Sequence, residues 1–459
     1  MKLTVFQSNK GDCLLLTGTD GHNVLVDGGM RASYSEHVSP TLNQLRRDGG
    51  KIDVVYVSHI DQDHIAGVLQ MLDDEVKWRM HEFQIDNGNP KHKEPDLQRA
   101  PQVMQIWHNA FREQLPKQNE EIEVMLAASA AILSGSEDEL VKSLASAEHE
   151  LVTSIQEAIK LTRRVGFDQL NIKLNQPAKG KLMMVRPANV APIRLGKMRF
   201  HTIGPFRADL ENLREEWKEW LKLNKTTLNS IRVQAKKDEA QFSVREIDDL
   251  LLPKVHQADA LSELLPLAGA TKPVKLGERN EVTTPNLASL MFFVEESGKT
   301  LLLTGDGHHE DILRGLKHIK KLNGKKGIHV DVLKVQHHGA EFNIDEAFCR
   351  TVTADHYIFC GNGEHENPNL QVLQAIADSR LGLGEQLSSN PEVSRPFKFW
   401  FNSHASVIIK TAEDAKSKKK VDAANHMKEV EKLVGKLCKK SKGRMSSFFL
   451  KGSSFELQI

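Results

Sequence analysis

Cysteine is scarce in this chain of 459 residues. The four present, Cys13, Cys349, Cys360 and Cys438, form no C-x-x-C pair, which argues against a Cys-based zinc finger and against a disulfide scaffold. There is no run of about 20 apolar residues, so no membrane-spanning helix and no membrane partner are expected. The opening MKLTVFQSNKGD is too short in apolar residues for a secretory signal core, and Lys10 and Asp12 interrupt it. Together with reduced thiols this points to the cytoplasm. Net charge is also missing: 62 Lys+Arg against 61 Asp+Glu leave +1, so a polyanionic partner has to be met by a local patch. No short internal repeat is found. What is present is 39% hydrophobic and 27% charged residues, enough for a sizeable core, over a length that predicts two or three domains or one large fold with insertions.

Apolar runs bounded by turns predict strands at 2–6, 13–17, 23–26 and 53–58, then a helix from Ile65 to Leu72. From about 97 to 170 the composition shifts to strong helix formers, with Ser136 and Glu139 spaced as a capping box. Strand signals return at 180–204, a second charged helical block covers 206–265, and strands resume at 288–304, 328–336, 355–360 and, as a pair, 397–410. The economical reading is one α/β fold with two helical insertions. Its segments are a first core half 1–96, a helical insertion 97–179, core strands 180–205, a second charged helical insertion 206–285, a second core half 286–414 and a basic tail 415–459. From Lys416 to Arg444 that tail carries 11 Lys/Arg against three acids, while Val430, Leu433, Val434 and Leu437 recur at helical spacing. This fits either a solvated helix packed by one stripe or an arm for nucleic acid or an acidic partner.

The strongest chemical signal is V-S-H-I-D-Q-D-H-I-A-G, which crowds His59, Asp61, Asp63 and His64 at the end of a buried strand. Such groups cannot share a strand terminus without a compensating charge, because repulsion and desolvation are costly; one or two divalent cations would offset both. The plain alternative is a polar turn with surface acids. Gly67 lets the following helix approach closely. Asp27 closes another strand in V-L-V-D-G-G, Asp306 follows L-L-L-T-G, and His337 and His338 follow L-K-V-Q. All stand at strand C-termini, where α/β folds gather their ligand sites.

In these motifs the chain resembles the metallo-β-lactamase superfamily, and most closely the nuclease-like domain of the competence protein ComEC. That branch has the same G-D opening (Gly11, Asp12), H-x-D-x-D-H, S-L…L-L-T-G-D and L-K-V-x-H-H-G patterns. The resemblance covers about 1–75, 180–205 and 285–410. It implies an αββα sandwich with two divalent metal ions at one sheet edge. His59 and Asp61 would hold the first ion. Asp63, His64 and a late histidine, His337 in preference to His338, would hold the second, with Asp306 bridging and Asp27 orienting a ligand from behind. The family's third-motif histidine is not plain; His201 is the candidate, with an ordinary strand histidine as the alternative. Asp61 stands where the family more often has His, which moves the donor set towards Mn or Mg while leaving Zn open.

A two-metal site implies hydrolysis by a bridging hydroxide, with Asp63 helping to orient it and His365, in C-G-N-G-E-H-E-N-P-N, as a candidate proton donor or substrate contact. His308 and His309 read as solvent-side residues at a helix start, and Tyr56 and Ser58 as strand residues. The leading expectation is a phosphodiesterase or nuclease acting on DNA. The alternatives are a lactone- or ester-type hydrolase of the same fold, or an effector regulated by a protein partner through the helical insertions. Stand-alone ComEC-like domains resemble modules of bacterial defence systems, which sets a context only.

Overall fold

In the computed structural model, described residues are 1–109, 157–158, 160–167, 169–188, 190–223, 276–322, 324 and 326–459. The chain divides into two compact units, and the first, Met1–Asn109 with Arg164–Leu210 and Lys275–Ile459, carries the fold below. The second, Ala110–Arg163 with Glu211–Val274, lies almost wholly outside the described residues, as do the Ser136–Glu139 capping box and most of both predicted helical blocks.

The first sheet has seven strands: β1 (Lys2–Phe6), β2 (Leu14–Thr17), β3 (Asn23–Val26), β4 (Val54–Tyr56), β5 (Gln105–Trp107), β6 (Lys173–Leu174) and, last in sequence, β15 (Ser454–Gln458), in the order β15-β1-β2-β3-β4-β5-β6. The second has eight: β7 (Ile193–Leu195), β8 (Met198–Gly204), β9 (Met291–Glu296), β10 (Lys299–Leu303), β11 (Ile328–Lys334), β12 (Val352–Phe359), β13 (Phe397–Phe401) and β14 (Met445–Phe449), in the order β14 back to β7. The main helices are α1 (Ser39–Arg47), α2 (Gln62–Asp86), α3 (His309–His318), α4 (Glu346–Thr351), α5 (Leu370–Leu381) and α6 (Lys418–Lys440).

Strand alternation sorts the core into layers. Phe292, Val294, Leu301 and Leu303 meet Leu3, Val5, Val24, Val54 and Tyr56 in one buried cluster between the sheets. Their neighbours Phe293 and Leu302 point the other way, into a cluster with Ile312, Leu316, Val372, Ile376, Val430 and Val434 of the helices. Leu25 and Val55 are buried as well, so β3 and β4 are covered on both faces, as their unbroken apolar runs require. Two sheets face to face with helices outside make this a mixed α/β fold of the metallo-β-lactamase type.

Several segment boundaries differ from the sequence expectation. β5 and β6 lie inside the stretch 97–179 read as helical; each is two or three residues long, too short for any alternation, and each is specified by parallel pairing to its neighbour. The stretch 397–410 holds one strand and a short helix, Ala405–Ile408, because β13 pairs in parallel with β14 and not with its own sequel. The residues 415–459 are not an appended tail. β14 edges the second sheet, β15 pairs antiparallel with β1, and α6 buries Val430, Val434 and Leu437. The single-stripe packing is thus observed; the lysines had concealed that this segment completes both sheets. No helix of the described residues is long and apolar enough to cross a membrane.

Candidate metal centre

β3, β4, β10 and β11 end at the same edge of the sandwich, and each hands a polar residue to it. After β3 comes Asp27, with a left-handed backbone (φ 54°). After β4 come Ser58 and His59, then Asp61 at the start of α2, then Asp63 and His64 in its first turn. After β10 come Gly305 and Asp306, and after β11 come His337 and His338, both again left-handed (φ 45° and 56°). Left-handed non-glycine residues cost roughly 1–3 kcal/mol each, and they collect where function needs a side chain aimed against local preference. Two close approaches bring the pieces together. A Cβ on Gly67 would lie 1.9 Å from the Gly28 carbonyl oxygen, and one on Gly11 would lie 1.7 Å from that of Asp63. Only glycine lets α2 sit on the β3 turn and lets the 9–12 turn reach the cluster.

Asp306 is the hub. Its Oδ2 lies 3.2 Å from His64 Nε2, 3.3 Å from His338 Nε2, 3.8 Å from His337 Nε2 and 4.0 Å from His59 Nε2. In three of these imidazoles the other nitrogen is fastened. His64 Nδ1 is 2.9 Å from Asp27 Oδ2, His337 Nδ1 is 2.7 Å from Asn343 Oδ1, and His59 Nδ1 is 3.0 Å from Ser58 Oγ. Outer partners of this kind set ring orientation and leave Nε2 as donor. Asp27 is itself held, accepting from the Ser58 N–H at 2.7 Å and the Ser58 hydroxyl at 2.8 Å. Asp61 Oδ2 stands 3.4 Å from His59 Nε2, and Asp63 Oδ2 stands 3.3 Å from His338 Nε2. The nine residues Asp27, His59, Asp61, Asp63, His64, Asp306, His337, His338 and the unforeseen Asp12 therefore converge from five separate stretches of chain.

Asp12, His64, Asp306 and His338 form the tightest group, with one donor atom of each lying within 4.8 Å of all the others. Of the two late histidines the structure places His338 in this buried group, where the sequence reading preferred His337; His337 is 28% exposed, with Nε2 still turned to Asp306. The side-chain direction at two successive left-handed residues has no counterpart in sequence spacing.

The residues fit a divalent cation. His59 Nε2, Asp12 Oδ1 and both ring nitrogens of His338 are buried without a hydrogen bond of acceptable geometry, although opposite charges surround them. Imidazole nitrogens mixed with carboxylate oxygens form a donor set suited to Zn or Mn, and the carboxylate share also admits Mg. Electrostatics agree. Burial opposes charge on every group here, yet the carboxylates of Asp306, Asp27, Asp63 and Asp12 push His64 well above its ordinary pKa. Burial also works against His338, and Asp306 and Asp12 push it up in the same way. Burial would raise Asp306, but His64, His338 and Lys334 hold it well below the carboxylate range.

Lys334 is the buried ammonium within the site. Nζ pairs with the Asp12 carboxylate, donates to the Gly305 carbonyl oxygen at 3.0 Å and lies 3.5 Å from Asp306 Oδ1. Despite complete burial, Asp12 and Asp306 raise its pKa above that of a free lysine. Four contributors were not singled out as site residues from sequence. Asp12 was visible only in the Gly-Asp opening, Lys334 only inside L-K-V-x-H-H-G, Ser58 was read as a strand residue, and Asn343 carries no local signal.

His201 does not join the site. It sits on β8 with Nε2 3.0 Å from Glu295 Oε2, paired across the sheet with Phe293 of the helix-facing cluster. The residue that does enter just before β9 is Ser289, whose Oγ accepts from the Asp306 N–H at 3.1 Å. His308 and His309 are buried, not solvent-side; His308 caps α3, and their Nε2 atoms lie 3.2 and 3.3 Å from the Gly277 carbonyl oxygen. The loop ahead of β9 covers this helix start, a contact across 31 residues that helix-start chemistry alone does not reveal. His365 is exposed on the turn Glu364–Glu366. Partial desolvation and then the Lys10 ammonium keep its pKa below the ordinary value, with Glu364 and Asp63 opposing.

Residues 9–125 match the metallo-beta-lactamase superfamily. That match spans about a quarter of the chain and includes Asp12, Asp27 and the whole His59–His64 motif, whereas Asp306, His337, His338 and His365 lie beyond it. No curated protein matches the chain. A metallo-beta-lactamase superfamily domain joined to a buried Asp/His cluster points to a metal-dependent hydrolase.

Proposed function

We propose that the chain is a metal-dependent phosphodiesterase, a nuclease with DNA as its substrate, working with two divalent ions. The observation that carries this reading is Asp306 Oδ2 standing within 4.0 Å of four imidazole nitrogens. His59 and Asp61 would hold one ion, and His64, Asp63, His338 and Asp12 the other, with Asp306 shared and His337 beside it. Bound divalent ions supply an activated hydroxide and neutralise charge on phosphoryl oxygens. The chain's own residues do the rest. Asp27 and Ser58 keep His64 and His59 with Nε2 inward, and Asn343 does the same for His337. Lys334 keeps Asp12 and Asp306 ionised. His365, exposed on the turn Glu364–Glu366, would be the residue that gives a proton to a leaving oxygen. The ComEC-like motif set favours a nucleic-acid substrate over a lactone or ester.

The test is metal analysis of the purified chain followed by incubation with plasmid DNA, single-stranded DNA, RNA and a lactone. Cleavage of DNA with Mn, abolished by EDTA and by Asp306→Ala, is the expected result. Metal-loaded protein that leaves nucleic acid intact but opens the lactone would refute it.

A further inference from the structure

We propose that the solvent face of α6 is the path along which a nucleic-acid strand reaches the metal centre; this rests on the phosphodiesterase reading. The inner face of α6 is committed to the core through Ala423, Met427, Val430, Val434 and Leu437. On the opposite face, at 3.6 residues per turn, Lys418, Lys428, Lys432, Lys436 and Lys439 fall within an arc of roughly 80° and extend over about 32 Å. All five are exposed. Lys428 meets only the Asn425 amide oxygen at 3.2 Å, and Lys432 meets Glu429 at 3.3 Å on the surface. Among the described residues no carboxylate lies within ion-pair distance of Lys418, Lys436 or Lys439.

The stripe begins beside the turn that carries His365. The first half of α6 packs on the turn that carries His365: a Cβ on Gly363 would lie 2.3 Å from the Ala423 carbonyl oxygen, and His426 Nε2 is 3.0 Å from that of Pro368. Lys419 Nζ pairs with Glu364 Oε2 at 3.1 Å, one residue before His365. Two residues before Gly363, a Cβ on Gly361 would lie 3.3 Å from the Cβ of His338, so the strand end that leads into this turn touches the cluster. A polymer with a phosphate on every unit can lie along the lysines and still place one phosphodiester at the cluster. A small ester cannot be in both places. A membrane would be served by the lysines alone and has no use for their continuity with the His365 turn.

The experiment uses the full-length chain in EDTA, so that the strand is not cut, with a fluorescein-labelled single-stranded DNA of roughly 30 nucleotides. Anisotropy is read across a salt series for the wild type, for a variant with Lys428, Lys432, Lys436 and Lys439 all changed to Gln, and for one with the same four changed to Arg. Glutamine should weaken binding at least about tenfold in moderate salt and flatten the log–log salt slope by about 2.8, at about 0.7 per lysine; arginine should preserve both. With Mn, the Gln variant should show a raised KM on long DNA and an unchanged rate on a minimal phosphodiester. A slope and KM identical to wild type would overturn the path even if the wild type cleaves DNA. Lysine-dependent DNA binding by a wild type that never cleaves would support the path and sink the phosphodiesterase reading. Lysine-dependent capture by phosphatidylserine vesicles with no such dependence on DNA would also overturn the path.

Discussion

Replacing Asp27 by asparagine is the sharpest probe of the metal centre, because Asp27 lies behind the ligands and does not face the hub. Its carboxylate accepts from the Ser58 N–H at 2.7 Å, the Ser58 hydroxyl at 2.8 Å and His64 Nδ1 at 2.9 Å. An amide of the same shape offers one acceptor and one donor. If Oδ1 keeps the Ser58 N–H, the new NH2 confronts His64 Nδ1 and drives the ring proton to Nε2, the atom turned to Asp306. If the amide flips, Ser58 N–H loses its partner and the loop that carries His59 loosens. Either way a ligand is disoriented. Loss of an outer partner typically weakens metal affinity 10–100-fold, about 1.4–2.8 kcal/mol. Metal-free stability should move far less. The lost charge-assisted bond, worth roughly 1.5–3 kcal/mol, is offset by removing one carboxylate from a crowded anionic site. Chelator competition with Mn or Zn gives the affinity, and urea unfolding in EDTA gives the stability. An Asp27→Asn protein that binds metal as tightly as wild type would refute the ligand assignment of His64.

Two further outcomes follow from buried groups. Lys334→Met leaves Asp12 and Asp306 without their ammonium, so metal-free stability should fall by about 3–5 kcal/mol, with a larger recovery on adding divalent ions than wild type shows; unchanged urea unfolding in EDTA would contradict this. His108 is fully buried after β5, and burial lowers its pKa to about 4, so the folded state keeps it neutral. The unfolded chain takes up its proton first as pH falls, so this stabilisation is complete above the unfolded value near 6.5 and is lost as pH drops towards 4. Between pH 7 and pH 5 in EDTA, wild type should lose about 2 kcal/mol more than His108→Leu; parallel losses would show that His108 is not the group responsible.

Much of the metal centre could be read from the chain, and the reason is local. A strand that ends in a buried layer must expose its next residues at the sheet edge, so H-x-D-x-D-H, T-G-D and H-H after apolar runs mark candidate donors that the fold gathers at one edge. The helix of 415–459 was legible for the same reason: Val430, Val434 and Leu437 repeat at its period. What failed were statements about partners far along the chain. His201 has the right residue type but the wrong face of β8, a matter of which neighbour the strand pairs with. The short strands β5 and β6 have too few residues to show a period.

Sequence by itself pointed to an α/β fold and to candidate donor residues at strand ends, because apolar runs and donor chemistry are properties of neighbouring residues. Tertiary structure alone decided that Asp12 and Lys334 belong to the site, that His338 lies deeper than His337, and that a lysine-rich C-terminal segment closes both sheets. Those facts depend on contacts between residues hundreds of positions apart, and such contacts are set by how the sheets pair and pack, which no local pattern encodes.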